Sequence, residues 1–162
     1  MTFFLTYYTM KGTKREETGE IQMFIGEFNA NLDDSHRLSI PNNFKKYLEL
    51  ELVLVRGFEK CLYLYNKSDW VNLSDKINQL SFTKSANRMF IRGLNSGAFE
   101  VEADAKGRVC IMQKLIDHAG LTKECVIVGA SNRMEIWDKA EWENYLKENQ
   151  EMFAQLGEEL DI

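Results

Sequence analysis

Residues 32–41 read Leu-Asp-Asp-Ser-His-Arg-Leu-Ser-Ile-Pro, and a related stretch returns at residues 103–111 as Ala-Asp-Ala-Lys-Gly-Arg-Val-Cys-Ile. In both stretches an aspartate is followed four residues later by an arginine, and then by two alternate apolar residues. The matching residues, at a constant offset of 71, are Asp33 and Asp104, Arg37 and Arg108, Leu38 and Val109, and Ile40 and Ile111. The chain therefore contains an internal duplication, and this repeat decides how the rest of the sequence is read.

Each copy predicts two strands, a short helix and two further strands. The first strand of the first copy alternates apolar and polar residues between Phe24 and Leu32, which is typical of a strand with one buried face. The offset becomes 72 at Gly57 and Gly129, because a loop easily takes up one extra residue. Strands this short do not form a stable pair alone. We therefore expect a mainly β protein with flanking helices (α+β), whose two ββαββ copies interleave into a small closed barrel without free edges.

The duplication also suggests how the chain is divided. Ser68 and Thr83 are suited to cap the two helices that follow the first copy. The expected segments are a flexible lead (1–22), a first repeat (23–80), a linking helix (81–96), a second repeat (97–145) and a C-terminal helical tail (146–162).

The net charge of −5 is unevenly distributed. Residues 138–162 hold eight acidic and two basic residues, whereas residues 23–137 hold fifteen basic and fourteen acidic ones. The acidity belongs to the C-terminal helix, so it does not exclude a local basic face on the repeats.

Several function classes are disfavoured. The three cysteines, Cys61, Cys110 and Cys125, lie in apolar strand-like runs without CxxC spacing, so we expect small buried side chains in a reducing cytoplasm. No apolar run approaches the roughly 18 residues that a membrane helix needs. A Gly-x-Ser-x-Gly elbow is absent, and no carboxylate pair is suitably placed for catalysis. We expect no enzyme activity, metal, cofactor or small-molecule substrate.

The repeated Asp-x-x-x-Arg motif lies where one predicted strand turns into the next. In one interpretation Asp33 accepts hydrogen bonds from turn amides and Arg37 forms an exposed ion pair, worth roughly a few tenths of a kcal/mol. In the other, two guanidinium groups in related settings donate paired hydrogen bonds to phosphates or guanine edges. A cation accompanies each arginine, His36 in the first copy and Lys106 in the second. We favour the second interpretation, because a short motif arises by chance far more readily once than twice at a fixed offset.

The two motifs resemble the paired Asp-x-x-x-Arg signature of the MraZ family, and the segments around Tyr65 and Trp137 are similar to that family as well. MraZ proteins are bacterial transcriptional regulators of the division and cell-wall gene cluster, built as two fused copies of the AbrB-type swapped-hairpin barrel. The resemblance covers the chain from Met23 to about Leu160. It implies two AbrB-like repeats, binding to double-stranded DNA in the promoter of the protein's own operon, ring-shaped homo-oligomers and a cytoplasmic, nucleoid-associated location. A ring repeats one subunit orientation, so we expect direct repeats in the operator.

The motif and the resemblance imply three pairs of roles: DNA contact for Arg37 and Arg108, turn support for Asp33 and Asp104, and phosphate contact for His36 and Lys106. The chain departs from the family in three places. Ser35 and His36 stand where Lys-Gly is usual, Met112 stands where proline is usual, and residues 1–22 have no counterpart.

A second class of function is left open. The chain could instead be a non-enzymatic interaction module, such as an antitoxin-like oligomeric scaffold. A scaffold would not show the salt-dependent binding that phosphate contacts give to a DNA-binding protein.

Overall fold

The computed structural model describes residues 23–161, so the predicted N-terminal lead lies outside the described residues. The first copy contains β1 (Glu27–Asn31), β2 (Arg37–Ser39), α1 (Asn42–Lys45), β3 (Glu51–Arg56), β4 (Leu62–Asn66) and α2 (Lys67–Asn78). Helix α3 (Ser85–Ser96) connects the copies. The second copy contains β5 (Ala98–Glu102), β6 (Arg108–Cys110), α4 (Gln113–Ala119), β7 (Glu124–Gly129), β8 (Met134–Asp138) and α5 (Lys139–Glu159).

The two copies share one antiparallel sheet. Its strand order is β1-β7-β8-β4-β3-β5, so β1 of the first copy pairs with β7 of the second, and β5 pairs with β3. The hairpins β3–β4 and β7–β8 meet at the centre through β4 and β8. Strands β2 and β6 form a separate two-stranded ribbon. The prediction of a mainly β fold with flanking helices is confirmed.

The expected closed barrel is wrong. Strands β1 and β5 are the edges of the six-stranded sheet, because β2 and β6 pair with each other instead of closing it. An isolated bridge between Leu32 and Leu38 marks where the end of β1 approaches the ribbon. On β1 the residues Glu27, Asn29 and Asn31 are exposed, and polar side chains of this kind protect an edge strand from pairing with other chains.

The repeat offset changes within the inner hairpins. The N–H of Arg56 donates to the carbonyl of Gly97 at 2.9 Å, and the N–H of Gly129 donates to the carbonyl of Gly26 at 2.8 Å. Since Gly26 and Gly97 are equivalent, Gly129 occupies the position of Arg56 rather than that of Gly57. Compared with the first copy, the second copy has two more residues before β7 and one fewer in the turn between β7 and β8. The single offset of 72 in the sequence did not predict these two changes.

The core occupies both faces of the sheet. Strand β3 is buried on both sides, with Leu52 and Leu54 in the cluster beneath the ribbon and α4, and Val53 and Val55 in the cluster beneath α2 and α5. Burial on both faces explains why this strand is continuously apolar in sequence, whereas β1 alternates.

Two buried polar side chains at equivalent positions hold the loops before the inner hairpins. Asn66 accepts from the N–H of Glu49 at 3.0 Å and donates to the carbonyl of Tyr47 at 2.9 Å. Asp138 accepts from the N–H and the hydroxyl of Thr122, at 3.1 and 2.7 Å. Asn66 thereby ties the loop after α1 to the end of β4.

The expected N-caps Ser68 and Thr83 are wrong. Helix α2 already includes Ser68, whose N–H donates at 3.0 Å to the carboxylate of Glu49, which lies outside the helix. Helix α3 begins two residues after Thr83 and is preceded by Lys84, whose side chain makes no capping hydrogen bond. For α2, a carboxylate brought in by the tertiary fold replaces the local cap.

Candidate nucleic-acid interface

The first Asp-x-x-x-Arg turn is held by its own aspartate. Oδ1 of Asp33 accepts from the N–H groups of Ser35 and Arg37, both at 2.9 Å, and Oδ2 accepts from Nε of Arg37 at 2.9 Å. The backbone closes the turn, because the N–H of Asp33 donates to the carbonyl of Arg37 at 3.0 Å and the N–H of His36 donates to that of Asp33 at 2.9 Å. One carboxylate therefore fixes both the turn and the arginine side chain.

The second turn repeats these contacts. Oδ1 of Asp104 accepts from the N–H groups of Lys106 and Arg108, both at 2.9 Å, and Oδ2 accepts from Nε of Arg108 at 2.7 Å. The N–H of Gly107 donates to the carbonyl of Asp104 at 2.9 Å. The duplication in sequence is thus a duplication of hydrogen bonds.

These contacts keep both carboxylates ionised. The pKa of Asp33 and that of Asp104 lie below their ordinary value of 3.8, chiefly because the backbone N–H of the arginine donates to the charged form. Partial desolvation raises each pKa, and the arginine side chain lowers it further. Each turn therefore keeps its ion pair at neutral pH.

Each guanidinium group is held at one edge and open at the other. Within the described residues, Arg37 and Arg108 donate side-chain hydrogen bonds only through Nε, and their Nη groups have no protein acceptor. The two side chains are 39% and 23% exposed. Such a guanidinium group presents two coplanar Nη donors in a fixed direction, which suits a phosphate or the O6/N7 edge of guanine.

The ribbon brings the two arginines onto one face. Leu38 and Val109 lie opposite each other and point into the core, where both are fully buried. Because side chains alternate along a strand, Arg37 and Arg108 point outward on the same side. They occupy diagonal positions of the antiparallel pair, about 7–8 Å apart at the backbone.

The turns join the ribbon through residues with left-handed backbone. His36 has φ 59° and Gly107 has φ 73° at the equivalent position. The carbonyl of His36 accepts from the N–H of Ile111 at 2.8 Å, and the carbonyl of Gly107 accepts from the N–H of Ile40 at 2.9 Å. The first turn thus keeps the same geometry with a histidine where the second has glycine.

The charges around the two turns differ. Asp34 is exposed beside the first turn, whereas an alanine stands at the equivalent position of the second, and Lys106 is exposed there. Lys45 of α1 also lies against the second turn, so close that a Cβ on Gly107 would meet its Cε atom at 2.5 Å. Lys45 is 62 residues from Gly107 and outside the motif, so no sequence signal identified it. The second turn is the more positive of the two.

The three cysteines differ in exposure. Cys110 is exposed on the ribbon, so the expectation that all three cysteines are buried is wrong for this residue. It lies at an outward-pointing position directly across from Arg37. Among residues 23–161, no cluster of histidine, cysteine and acidic side chains could hold a metal ion. No helix in this part of the chain is long and apolar enough to cross a membrane.

Comparison with known proteins agrees with this duplicated geometry. The family model described as "MraZ protein, putative antitoxin-like" matches twice, at residues 23–93 and 94–161. The chain is similar to "Transcriptional regulator MraZ" of Pediococcus pentosaceus, with 44% identity over 138 residues, covering 85% of this chain and 96% of that protein. Two tandem matches and this identity over most of both chains show that the protein belongs to the MraZ family.

Proposed function

We propose that this protein is a transcriptional regulator that binds double-stranded DNA sequence-specifically through the face formed by β2 and β6. The observation that carries the proposal is the pair of guanidinium groups, Arg37 and Arg108, each anchored through Nε and open at Nη on one side of a two-stranded ribbon. The major groove of B-DNA, about 12 Å wide, admits a two-stranded β-ribbon. The name of the Pediococcus pentosaceus relative supports the same function.

The turn residues have distinct roles in this proposal. Arg37 and Arg108 contact guanine edges or phosphates, and the two aspartates hold them in the direction required for binding. His36 and Lys106 add phosphate contacts at opposite ends of the ribbon. Lys45 lies beside the second turn and strengthens binding there by the same electrostatic attraction.

The proposed site of action is the promoter of the protein's own operon, within the division and cell-wall gene cluster, in the nucleoid. Single DNA-binding modules bury only about 600–1,000 Å² of protein surface. One ribbon alone therefore offers little contact area for tight, specific binding. A ring of subunits that engages successive direct repeats raises the effective concentration of each following ribbon. Repeats spaced by about 10–10.5 bp, or a multiple, keep the ribbons on one side of the duplex.

Substitution of the two arginines tests the proposal. Arg37→Ala and Arg108→Ala should each weaken binding to upstream operon DNA by about 1–3 kcal/mol in gel-shift titrations. Thermal stability should change little, because partly exposed ion pairs contribute little. Lys147→Ala, which removes an exposed cation from α5, is the matched control and should bind like the parent. Folded arginine variants that bind this DNA as tightly as the parent would overturn the assignment.

A second candidate is an antitoxin-like oligomeric scaffold. The exposed apolar side chains of α3 and α5, including Met89 and Phe153, favour it because they suit protein contacts. A scaffold without DNA binding should give no gel shift with upstream DNA even at low salt, where contacts to phosphates would be strongest.

A further inference from the structure

Helix α3 presents an apolar stripe to solvent. No residue of this helix is buried, and its inner side touches the domain through partly buried residues such as Leu94. The outer apolar residues, starting just before the helix, are Phe82, Ala86 and Met89. Phe90 lies at the inner edge of this stripe, where its ring is 6.1 Å from that of Phe58. Of these side chains, Phe82 is 77% exposed and Met89 is 70% exposed. Large apolar side chains grouped in this way are typical of an interaction surface.

Helix α5 carries a second exposed stripe. Trp142 and Tyr145 pack against Trp137 of the sheet, with ring centroids 5.2 and 4.9 Å away. The same side of the helix continues beyond these contacts through Leu146, Asn149, Phe153, Leu156 and Leu160. Phe153 is 82% exposed. The apolar stripe that attaches α5 to the sheet thus continues beyond the sheet, and residues 23–161 do not cover this outer part.

The two stripes carry opposite charge. Residues 84–96, which are α3 and the residue before it, hold three basic residues and no acidic one, whereas residues 140–161 of α5 and its end hold seven acidic residues and one basic one. Arg92 borders the α3 stripe, and Glu148 and Glu159 lie in one row along an edge of the α5 stripe. Within the described part of the chain none of these three forms an ion pair.

We propose that the α3 stripe of one copy docks on the α5 stripe of a second copy of this chain. The lengths match, because the 12 residues of α3 span about 18 Å and the exposed part of α5, from residue 146 to residue 159, spans about 21 Å. Docking buries the exposed aromatic and methionine side chains and brings the basic α3 segment, with Lys84 and Arg92, against the acidic α5 segment, with Glu148 and Glu159. Pairing α3 with α3, or α5 with α5, would oppose like charges, which disfavours both arrangements.

The assembly is therefore head-to-tail. Each copy offers one basic and one acidic face, so the contact is heterologous and adds subunits in one orientation until a ring closes. This inference rests on the proposed function, which supplies the ring of subunits. It adds which two helix faces join neighbouring subunits in that ring. The ribbon of β2 and β6 is not part of the contact and stays free for DNA.

Charge reversal tests the contact by sedimentation velocity. The α3 variant combines Lys84→Glu with Arg92→Glu, and the α5 variant combines Glu148→Lys with Glu159→Lys. Each should assemble at least about tenfold more weakly than the parent, because attraction becomes repulsion. A control of equal charge change on exposed positions away from the stripe, Glu143→Lys with Glu151→Lys, should assemble like the parent. Phe153→Gln, at a position that is 82% exposed and so should leave folding unchanged, should also weaken assembly.

Mixing the two variants is the decisive measurement. In the mixture the wild-type α5 of one variant meets the wild-type α3 of the other, and the two reversed faces meet each other, so alternating assemblies should form again. An α3 variant that assembles like the parent, or a mixture that stays dissociated, would overturn the docking of α3 on α5. Neither result would overturn the proposal that the parent forms a ring. A parent that is monomeric at every concentration tested would overturn both the ring and the contact.

The same variants separate this contact from DNA binding. Circular dichroism establishes that each variant is folded, and a gel shift with a single operator repeat reports on the ribbon alone. The dissociated variants should bind one repeat like the parent but lose the gain in affinity that additional repeats provide. Arg37→Ala and Arg108→Ala, by contrast, should weaken single-repeat binding and should sediment like the parent.

Discussion

Exchanging the residue at the left-handed position of the two turns offers a matched pair of perturbations. His36 and Gly107 have φ 59° and 73°, and the turns around them make the same hydrogen bonds. His36→Gly removes a side chain from the left-handed region, and Gly107→Ala introduces one. The two changes should therefore alter the free energy of unfolding in opposite directions.

The magnitude follows from two opposing contributions. A left-handed residue with a Cβ costs about 1–2 kcal/mol, whereas glycine loses about 0.5–1 kcal/mol more backbone entropy on folding than alanine does. The net effect is a stabilisation of about 0.5–1 kcal/mol for His36→Gly and a destabilisation of similar size for Gly107→Ala. The flexible end of Lys45, which a new Cβ at position 107 would contact, has to move as well. Each change should shift the Tm by about 1–4 °C in a domain of this size.

Thermal and urea unfolding measure both changes. Ser39→Gly, on the exposed side of β2, is the control, and it should be destabilising because its backbone is extended. His36→Gly should also bind operator DNA somewhat more weakly despite its greater stability, because it removes the proposed phosphate contact. Destabilisation by His36→Gly, or a stability gain from Gly107→Ala, would refute the equivalence of the two turns.

Three further expectations concern buried polar contacts, ionisation and thiol reactivity. Asn66→Ala should destabilise the fold by about 2–4 kcal/mol in urea unfolding, because it leaves a backbone N–H and a carbonyl unpaired; an effect below about 0.5 kcal/mol would contradict this role. Because the pKa of Asp33 and that of Asp104 are lowered on folding, the stability that they contribute is present above pH 3.8 and is lost as pH falls through the folded-state pKa. The difference in unfolding free energy between the parent and the double variant Asp33→Asn/Asp104→Asn should therefore shrink from about pH 5 to pH 2. A constant difference would argue against the lowered pKa. Native protein should react rapidly with a thiol reagent at exposed Cys110 and slowly at Cys125, where burial raises the pKa to about 11; bound DNA should slow the Cys110 reaction, and unchanged reactivity would place DNA elsewhere.

The sequence alone determined the repeated parts of this protein. The Asp-x-x-x-Arg turns could be predicted because their hydrogen bonds join residues at most four positions apart, so the residues that make each contact are neighbours in the chain. The alternating residues of β1 and the continuous apolar run of β3 likewise indicate strands, because burial of one face or of both is written directly into the pattern. The family resemblance also rests on local sequence, namely the two Asp-x-x-x-Arg motifs and the segments around Tyr65 and Trp137.

Only the tertiary structure decided how the copies fit together. Pairing of β2 with β6 leaves the sheet open and places Arg37 and Arg108 on one face, and Lys45 reaches the second turn from a distant helix. Glu49 replaces the expected local cap of α2 in the same way. These contacts join residues tens of positions apart, and many pairings would satisfy the same apolar pattern. The choice among them depends on the packing of the whole core, which no local stretch of sequence contains.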